Sequence, residues 1–268
     1  MAQESKPDKL AFLDAPADKP IAPRLPTRDA VPPELPVLKR WLLWDYTWLS
    51  KKKEWTKQPM SPRTGEWIGV TPVGREGQDW ASHFADFDTA ILAAARRKLN
   101  IGFVFVEGDG FCGVDFDKPA RDRATGEMRE SLKPWIANLD TYAEVSPSGG
   151  GYHAICKATL PGPGNKQPLP EDVLVKCEMY DSARFFTFTG IRLEGKPLEI
   201  RSIQPEINAL HEHVFASVNF NRPLDPTPTG LAGYRGGETG ARLPGARDSA
   251  NRDGQTGIRL HGALPVLF

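Results

Sequence analysis

Two short apolar runs, IGFVFV and FCGVDFD, flank the segment EGDG near the middle of the chain. Runs of this length that are rich in β-branched and aromatic residues are typical of buried strands, and the glycine-containing connection predicts a β-hairpin. A strand that is apolar on both faces needs other elements packed above and below it. The two runs therefore predict a β-rich core in which these strands are central.

The other segments predict an α+β fold dominated by antiparallel pairing. WLLWDYTW alternates in the way a strand does, and EWTKQP follows a lysine-rich turn as its hairpin partner. Helical spacing and further alternation predict the remaining elements. The predicted helices cover 84–99, 132–139 and 205–215, and the predicted strands cover 142–145, 152–157, 173–180 and 184–189.

Both ends of the chain differ in composition from the middle. Residues 1–36 are rich in proline, alanine and charge without any period, which predicts a disordered or extended arm. Beyond about Asn219 the chain is rich in Gly, Pro and Arg and contains no lysine. We therefore expect one folded, catalytic domain over 37–216, preceded by a disordered arm and followed by a disordered tail over 217–268.

Composition excludes several classes of function. Lysine plus arginine equals aspartate plus glutamate at 34 each, so any nucleic acid must be held by a local basic patch. The three cysteines form no CxxC pair, and we expect buried thiols in a reducing compartment. The sequence shows neither the apolar core of a signal peptide nor an apolar run of membrane length. We expect a cytoplasmic protein that binds no membrane.

Asp115 and Asp117 lie in the run GVDFDK. On a strand they share one face, about 6 to 7 Å apart at Cα, and their oxygens could then hold one or two divalent cations. The alternative is a solvated strand face, because DxD pairs are common. The apolar neighbours of the pair favour the cation site, since central strands seldom present two bare aspartates.

The segment SPSGGGYHAI combines three consecutive glycines with a strand that carries His153. The backbone at Gly149 and Gly150 could approach a phosphate closely and turn its amides toward it. His153 and Lys157 share a strand face, so both could contact an anionic ligand. The alternative is a glycine-rich turn beside an incidental histidine.

Three further residues are candidates. Glu178 lies on a strand whose other face is apolar, and it can supply a third carboxylate. Arg184 opens the next strand and could bind a phosphate, or form an ordinary ion pair with Glu178 or Asp181. Lys57 lies on the second strand of the aromatic hairpin, where aromatic and lysine side chains could contact single-stranded nucleic acid or simply pack. The other histidines, including His211 and His213, form no ligand set and are expected in solvent.

The segments GVDFDK, SPSGGGYH and CEMYDSARFFTFTG, in this order, resemble the catalytic motifs of the archaeo-eukaryotic primase superfamily, in its phage and plasmid primase-polymerase branch. WLLWDYTW, EWTKQPMSPRTGEW and NIGFVF also resemble the N-terminal part of such proteins. The similarity covers roughly residues 38–215. It implies a catalytic core like an RNA-recognition-motif fold, joined to a smaller N-terminal α/β unit.

The resemblance also implies roles for individual residues. Asp115, Asp117 and Glu178 would hold catalytic Mg²⁺ or Mn²⁺, and His153 and Ser148 would contact the phosphates of an incoming nucleotide. The implied partners are nucleoside triphosphates and a single-stranded DNA template. Many relatives continue into a helicase domain, whereas the end of this chain lacks a GxxxxGK[ST] motif, so we expect any replicative helicase to be a separate protein.

These observations predict a metal-dependent DNA primase or polymerase of phage or plasmid replication, which joins nucleotides to a 3′-hydroxyl. Two alternatives remain open at this point. A carboxylate cluster with magnesium could instead belong to a nuclease or nucleotide hydrolase. The chain could also be a non-catalytic, replication-associated module that binds nucleic acid.

Overall fold

The computed structural model describes residues 15–68 and 81–219, and within them the fold is α+β. The strands pair throughout in antiparallel register, which confirms the predicted fold class. Of the tail predicted over 217–268, residues 217–219 are instead helical, and the part from residue 220 onward lies outside the described residues. The strands are β1 (Trp41–Leu49), β2 (Glu54–Met60), β3 (Asn100–Phe105), β4 (Phe111–Phe116), β5 (Tyr142–Val145), β6 (Tyr152–Lys157), β7 (Gln167–Leu169), β8 (Asp172–Tyr180) and β9 (Arg184–Thr187).

The described strands form two sheets. The first sheet has the order β2-β1-β3-β9, and the second has the order β5-β6-β4-β8-β7. The α-helices are α1 (Phe87–Arg97), α2 (Lys133–Asn138) and α3 (Gln204–Asn219), and short 3-10 turns cover Arg28–Ala30, Ala81–His83 and Glu130–Leu132. No helix within the described residues is both long and apolar enough to cross a bilayer.

The aromatic run predicted as a strand forms β1 and anchors the first sheet. Trp41 is fully buried, and its ring meets the rings of Phe87, Phe103 and Phe188 edge to face at centroid distances of 5.0 to 5.3 Å. Such pairs stabilise a core beyond the area they bury. Helix α1 begins where the Asp86 side chain accepts a hydrogen bond from the Thr89 amide, and it packs against this core.

One face of the second sheet packs against α2 and α3. Its buried side chains alternate along the central strand β4 as Cys112, Val114 and Phe116, as expected for a half-buried strand. Cys156 and Cys177 lie in the same core, and all three thiols are free and buried, as predicted.

The opposite face of the second sheet, here called the inner face, carries Phe111, Gly113 and Asp115 of β4. Its apolar end packs against the first sheet, with the Phe111 and Phe103 rings 6.0 Å apart. A Cβ at Gly113 would lie 2.6 Å from the Phe186 ring, so the sheets approach closely where β4 has no side chain. Asp115 lies beyond this contact. The polar end of the inner face is therefore left open.

The prediction that IGFVFV and FCGVDFD form a hairpin is wrong. β3 pairs with β1 and β9 in the first sheet, whereas β4 pairs with β6 and β8 in the second. The connection crosses between the sheets, and Asp109 stabilises it by accepting hydrogen bonds from the Val106 and Phe111 amides and from Arg40. Both edges of each strand are already occupied by other partners, so the two strands do not pair with each other.

Of the two states predicted for residues 1–36, disordered or extended, the described part from residue 15 is extended and packs against the core. Val31 and Leu35 are almost completely buried, and the Leu35 carbonyl accepts a hydrogen bond of 3.1 Å from the Trp41 indole. Arg28 also pairs with Asp88 at 2.8 Å. A proline-rich segment needs no period to pack in an extended form against an existing core. Residues 1–14 lie outside the described residues.

His211 is a further correction. It was expected in solvent, but it is only 4% exposed, and its Nε2 lies 3.1 and 3.0 Å from the carbonyls of Gly162 and Pro163. This contact ties α3 to the loop before β7. His213 instead lies at the surface, 2.7 Å from Glu171.

Candidate active site

Strand register brings the predicted carboxylates together at the polar end of the inner face. Asp115 lies on the central strand β4, directly opposite His153 on β6 and Glu178 on β8. Cross-strand neighbours of this kind have Cβ atoms about 4.5 to 5.5 Å apart. Asp117 follows two residues later on the same side. Three separate segments thus supply the predicted acidic residues and the histidine to one place.

These residues line a large cleft between the sheets, with a volume of about 1080 Å³. Pockets for single small ligands typically measure about 300 to 1,000 Å³, so there is room for a mononucleotide. The other walls are the β1–β2 hairpin, the start of β9 and the N-terminal segment around Ile21. Positively charged lining residues surround the carboxylates; they are Lys53, Lys57, Lys118, Arg123, Lys166 and Arg184.

Lys166 lies between two of the predicted metal ligands. Its ammonium contacts Asp117 and lies 3.1 Å from Glu178 Oε1. Burial alone would lower the pKa of Lys166, but the hydrogen bonds and charges of Asp117 and Glu178 outweigh it and raise that pKa. A cation therefore already occupies a position that both carboxylates can reach.

The other oxygen of Glu178 is held by two donors. Oε2 accepts hydrogen bonds from the Tyr180 hydroxyl at 2.8 Å and from Arg184 at 3.1 Å. The Arg184 guanidinium also lies 4.6 Å from the centre of the Tyr180 ring, a cation–π contact. The ion pair left open for Arg184 is thus formed, and it directs the guanidinium along the wall of the cleft.

Burial dominates the electrostatics at the centre of the site. It raises the pKa of Asp115, against the lowering effect of His153 and Lys57. It also lowers the pKa of Lys57, although the charges of Asp115, Asp117 and Glu178 act in the opposite direction. Both groups lose hydration, so charge at this point must be compensated by neighbours or by a bound ligand.

His153 is buried between two carboxylates. Its Nε2 lies 3.7 Å from Asp115 Oδ1, and its Nδ1 lies 3.4 Å from Oε1 of Glu144, a residue that the sequence analysis did not select. Glu144 is directly opposite His153 on the neighbouring strand β5. The sequence does contain a signal that could have identified Glu144, because it is an acidic residue inside the short apolar strand YAEV.

The glycine-rich segment forms a tight turn between β5 and β6. Ser148 lines the cleft as predicted, but Gly149 and Gly150 are not among the lining residues. Their amides donate within the turn, to the Ser146 carbonyl at 2.9 Å and to the Ser148 hydroxyl at 3.2 Å. Both amides thus already have acceptors within the turn, and the prediction that they contact a phosphate stays a prediction. Gly149 has φ +71°, a backbone conformation that glycine adopts without steric cost, so the turn itself accounts for a glycine at this position.

Lys157 also lies outside the cleft. It is four residues beyond His153 on β6, about 13 Å along the strand, and it is paired with Phe111 at the apolar end of the inner face. Strand alternation correctly placed both side chains on one face. The first sheet packs against the end of this face near Phe111 and leaves the end near His153 open. The sequence alone does not show where this packing ends.

Within the described residues, no three carboxylate, imidazole or thiolate groups converge into a ready metal-binding set. The ammonium of Lys166 lies where such a set would close between Asp117 and Glu178. The donors themselves are carboxylate oxygens, the type that Mg²⁺ and Mn²⁺ prefer. The donor type suits a divalent ion, and such an ion would have to take the place of Lys166 between Asp117 and Glu178.

Comparison with known proteins supplies an independent line of evidence on the relationships of this chain. No protein-family model matches the sequence. The chain is 28% identical over 171 residues to a protein of Nitratiruptor phage NrS-1 named DNA primase-polymerase. The chain is related to a phage primase-polymerase. The match covers 61% of this chain but only 21% of that protein, so the chain spans about a fifth of the relative's length.

This relationship agrees with the resemblance of the three site segments, and the α+β fold with antiparallel sheets is compatible with it. The finer expectation of an RNA-recognition-motif-like core with a smaller N-terminal unit stays a prediction. So do the metal and nucleotide roles of the individual residues.

Proposed function

We propose that this chain is a metal-dependent DNA primase or DNA polymerase that joins nucleotides to a 3′-hydroxyl on a single-stranded template. One observation carries the proposal. Asp115, Asp117, Glu178 and His153 line the same end of a large cleft that is otherwise rich in cationic side chains. Carboxylates that bind cations and a cationic lining that binds phosphates are the two requirements of nucleotidyl transfer.

The residues of the cleft divide into two groups. Asp115, Asp117 and Glu178 would hold Mg²⁺ or Mn²⁺, which supplies activation of the attacking hydroxyl and neutralisation of the phosphates. His153 and Ser148 line the same cleft and would donate hydrogen bonds to the triphosphate of the incoming nucleotide. Displacement of Lys166 from the carboxylates frees its ammonium, which then adds positive charge close to those phosphates.

Arg184 and Lys57 add to this lining. Arg184 is half exposed, and its guanidinium remains within reach of a ligand while its contact with Glu178 sets its direction. Lys57 is on β2, and its ammonium is attracted by the negative charges of all three carboxylates. We therefore assign phosphate or template contacts to these two residues rather than to Lys157.

Template-dependent synthesis is the direct test. Purified protein is incubated with single-stranded DNA, with or without a primer, each nucleotide type, and Mg²⁺ or Mn²⁺, and the products are sized. We expect longer strands in the presence of metal. Asp115→Asn should reduce the rate at least about 100-fold, because one ligand of the proposed metals is lost.

Asp140→Asn is the matched control. Asp140 is an exposed carboxylate whose partner is Arg201, so its change to an amide should leave synthesis unaltered. Full activity of Asp115→Asn would contradict the proposal. Shortened strands instead of extended ones would indicate the nuclease alternative, and nucleic acid binding without any metal-dependent product would indicate a non-catalytic module.

A further inference from the structure

The loop after β4, residues 118–129, contributes two cationic side chains to the wall of the cleft, Lys118 and Arg123. Neither was selected by the sequence analysis. Arg123 is exposed, and its guanidinium forms no ion pair and no hydrogen bond within the described part of the chain. A guanidinium stays charged at any physiological pH and carries five N–H donors. Arg123 therefore brings a set of unused donors to the cleft.

Two other cations of the cleft are already engaged. Lys166 contacts Asp117 and Glu178, and Arg184 lies 3.1 Å from Glu178. Their donors become available to a ligand only when these contacts are exchanged or shared. Arg123 has no such contact to give up, so it can bind an anion directly.

The loop that carries Arg123 is held by its own hydrogen bonds. The Asp122 side chain accepts hydrogen bonds from the amides of Ala124 and Thr125 at 2.7 and 2.8 Å. The Asp122 amide donates to the Glu127 carbonyl at 2.9 Å. Aspartate side chains that bond the backbone two residues ahead stabilise tight turns in this way. The backbone at Arg123 is therefore held in one position.

This loop is docked on the glycine-rich turn between β5 and β6. The Arg121 amide donates to the Gly150 carbonyl and its guanidinium donates to the Gly149 carbonyl, both at 3.0 Å. A Cβ at Gly150 would lie 3.2 Å from Lys118 Cβ and 3.3 Å from Arg123 Nε. Gly150 does not have the positive φ of Gly149. Space for the side chains of the loop therefore accounts for a glycine at position 150.

From this position Arg123 extends toward the first sheet. Burial raises the pKa of Tyr46 on β1, and the positive charge of Arg123 acts in the opposite direction, so the guanidinium lies within electrostatic range of that hydroxyl. Tyr46 is directly opposite Lys57, and both line the cleft. Ser148, on the turn beneath the loop, lines it as well. The Arg123 guanidinium thus belongs to the space between the two sheets.

We propose that Arg123 is a phosphate-binding residue of the cleft, held in place by Arg121 and given room by Gly150. The planar guanidinium matches two phosphate oxygens with parallel donors. A nucleoside triphosphate and a DNA strand both offer such oxygens. The position of Arg123 beside the turn that carries Ser148 favours the triphosphate of the incoming nucleotide, and this choice of ligand rests on the proposed function.

Two binding measurements without turnover identify the source of the phosphate. Calorimetry gives the affinity for dATP with Mn²⁺ in the absence of DNA. Fluorescence anisotropy gives the affinity for a labelled oligothymidylate in the absence of metal and nucleotide. We expect Arg123→Gln to weaken dATP binding about 10-fold, because one charge-assisted contact is lost. A loss confined to the DNA strand, with a slope of log affinity against log salt that is smaller by about 0.7, would assign the contact to the strand instead.

Arg201→Gln is the matched control. It removes the same charge from an arginine that is 48% exposed, pairs with Asp140 and lies outside the residues that line the cleft. Arg123→Gln should leave the melting temperature unchanged, because the side chain has no protein partner to lose. Arg123→Lys keeps the charge but not the planar donors, so it should recover only part of the affinity.

Gly150→Ala tests the positioning of Arg123. The added methyl group displaces the guanidinium without removing its charge. We expect weaker phosphate binding by a smaller factor than in Arg123→Gln, and no further loss when both changes are combined.

Equal affinities of Arg123→Gln and the unmodified protein in both measurements would overturn the inference, as would an equal loss in Arg201→Gln. Neither measurement depends on synthesis. A protein that synthesises no DNA but loses phosphate binding in Arg123→Gln would contradict the proposed function and leave the phosphate site established. Synthesis with unchanged affinities would do the reverse.

Discussion

Replacement of Lys166 by methionine tests whether the carboxylate pair is a cation site. In the structure the Lys166 ammonium bridges Asp117 and Glu178. A divalent ion that uses both carboxylates must displace the Lys166 ammonium. The free energy of the Lys166 contacts with Asp117 and Glu178 therefore weakens metal binding by the same amount. Lys166→Met removes this competition while keeping most of the aliphatic side chain. We therefore expect tighter metal binding in the variant.

The magnitude follows from the exposure of the three side chains. Lys166 is 48% exposed and Asp117 is 37% exposed, so their pair is screened and contributes about 0.2 to 1 kcal/mol. Glu178 is only 8% exposed, which makes its contact stronger, although the half-exposed ammonium limits the gain. Together they amount to about 1 to 2 kcal/mol. This corresponds to about 5- to 30-fold tighter metal binding.

Calorimetry with Mn²⁺ in the absence of nucleotide measures this difference directly. Lys157→Met is the matched control, because Lys157 lies on the same sheet face but outside the cleft. Without metal, Lys166→Met should also unfold at a lower temperature, since the carboxylates then repel one another, and Mn²⁺ should restore the loss. Equal or weaker Mn²⁺ binding by Lys166→Met than by the unmodified protein would refute the competition.

Two further predictions concern the β1–β2 hairpin and the glycine-rich turn between β5 and β6. The Trp55 ring lies 5.5 Å from the Trp48 ring, and its buried indole NH has no hydrogen-bond partner among the described residues. Trp55→Ala should weaken single-stranded DNA binding by about 1 to 3 kcal/mol in fluorescence anisotropy, whereas Trp55→Phe should lose much less. Equal binding by all three proteins would remove the hairpin from the DNA site. A Cβ at Gly151 would lie 2.5 Å from the Phe116 carbonyl, so Gly151→Ala should lower the free energy of unfolding by about 1 to 3 kcal/mol in chemical denaturation, and an unchanged stability would contradict this packing.

The sequence predicted individual strands better than their pairing. β1 and β2 were correctly joined because one short turn connects two alternating segments. The same argument failed for β3 and β4, whose apolar character on both faces is compatible with either sheet. Their actual neighbours lie far away in sequence, and all five strands of the second sheet lie between β3 and β9 along the chain. Local periodicity carries no information about such long-range choices.

The site shows the same division between local and long-range information. The shared strand face of Asp115 and Asp117 follows from two-residue periodicity, so it was available from the sequence. The position of Glu178 opposite Asp115 depends on the register of β4 and β8, and only the resemblance to a family indicated it. Lys166 lies in a loop with no periodic signal, and nothing in its neighbours pointed to the carboxylates.

Register also explains why the polar and apolar parts of one sheet face separate so sharply. Along β4 the inner face changes from Phe111 through Gly113 to Asp115, and each paired strand changes character at the same level. A slip of one residue would turn Asp115 into the core and Val114 into the cleft. The burial of Val114 therefore helps to hold Asp115 at the cleft, so the apolar core on the far face of the sheet fixes the position of the candidate catalytic carboxylate.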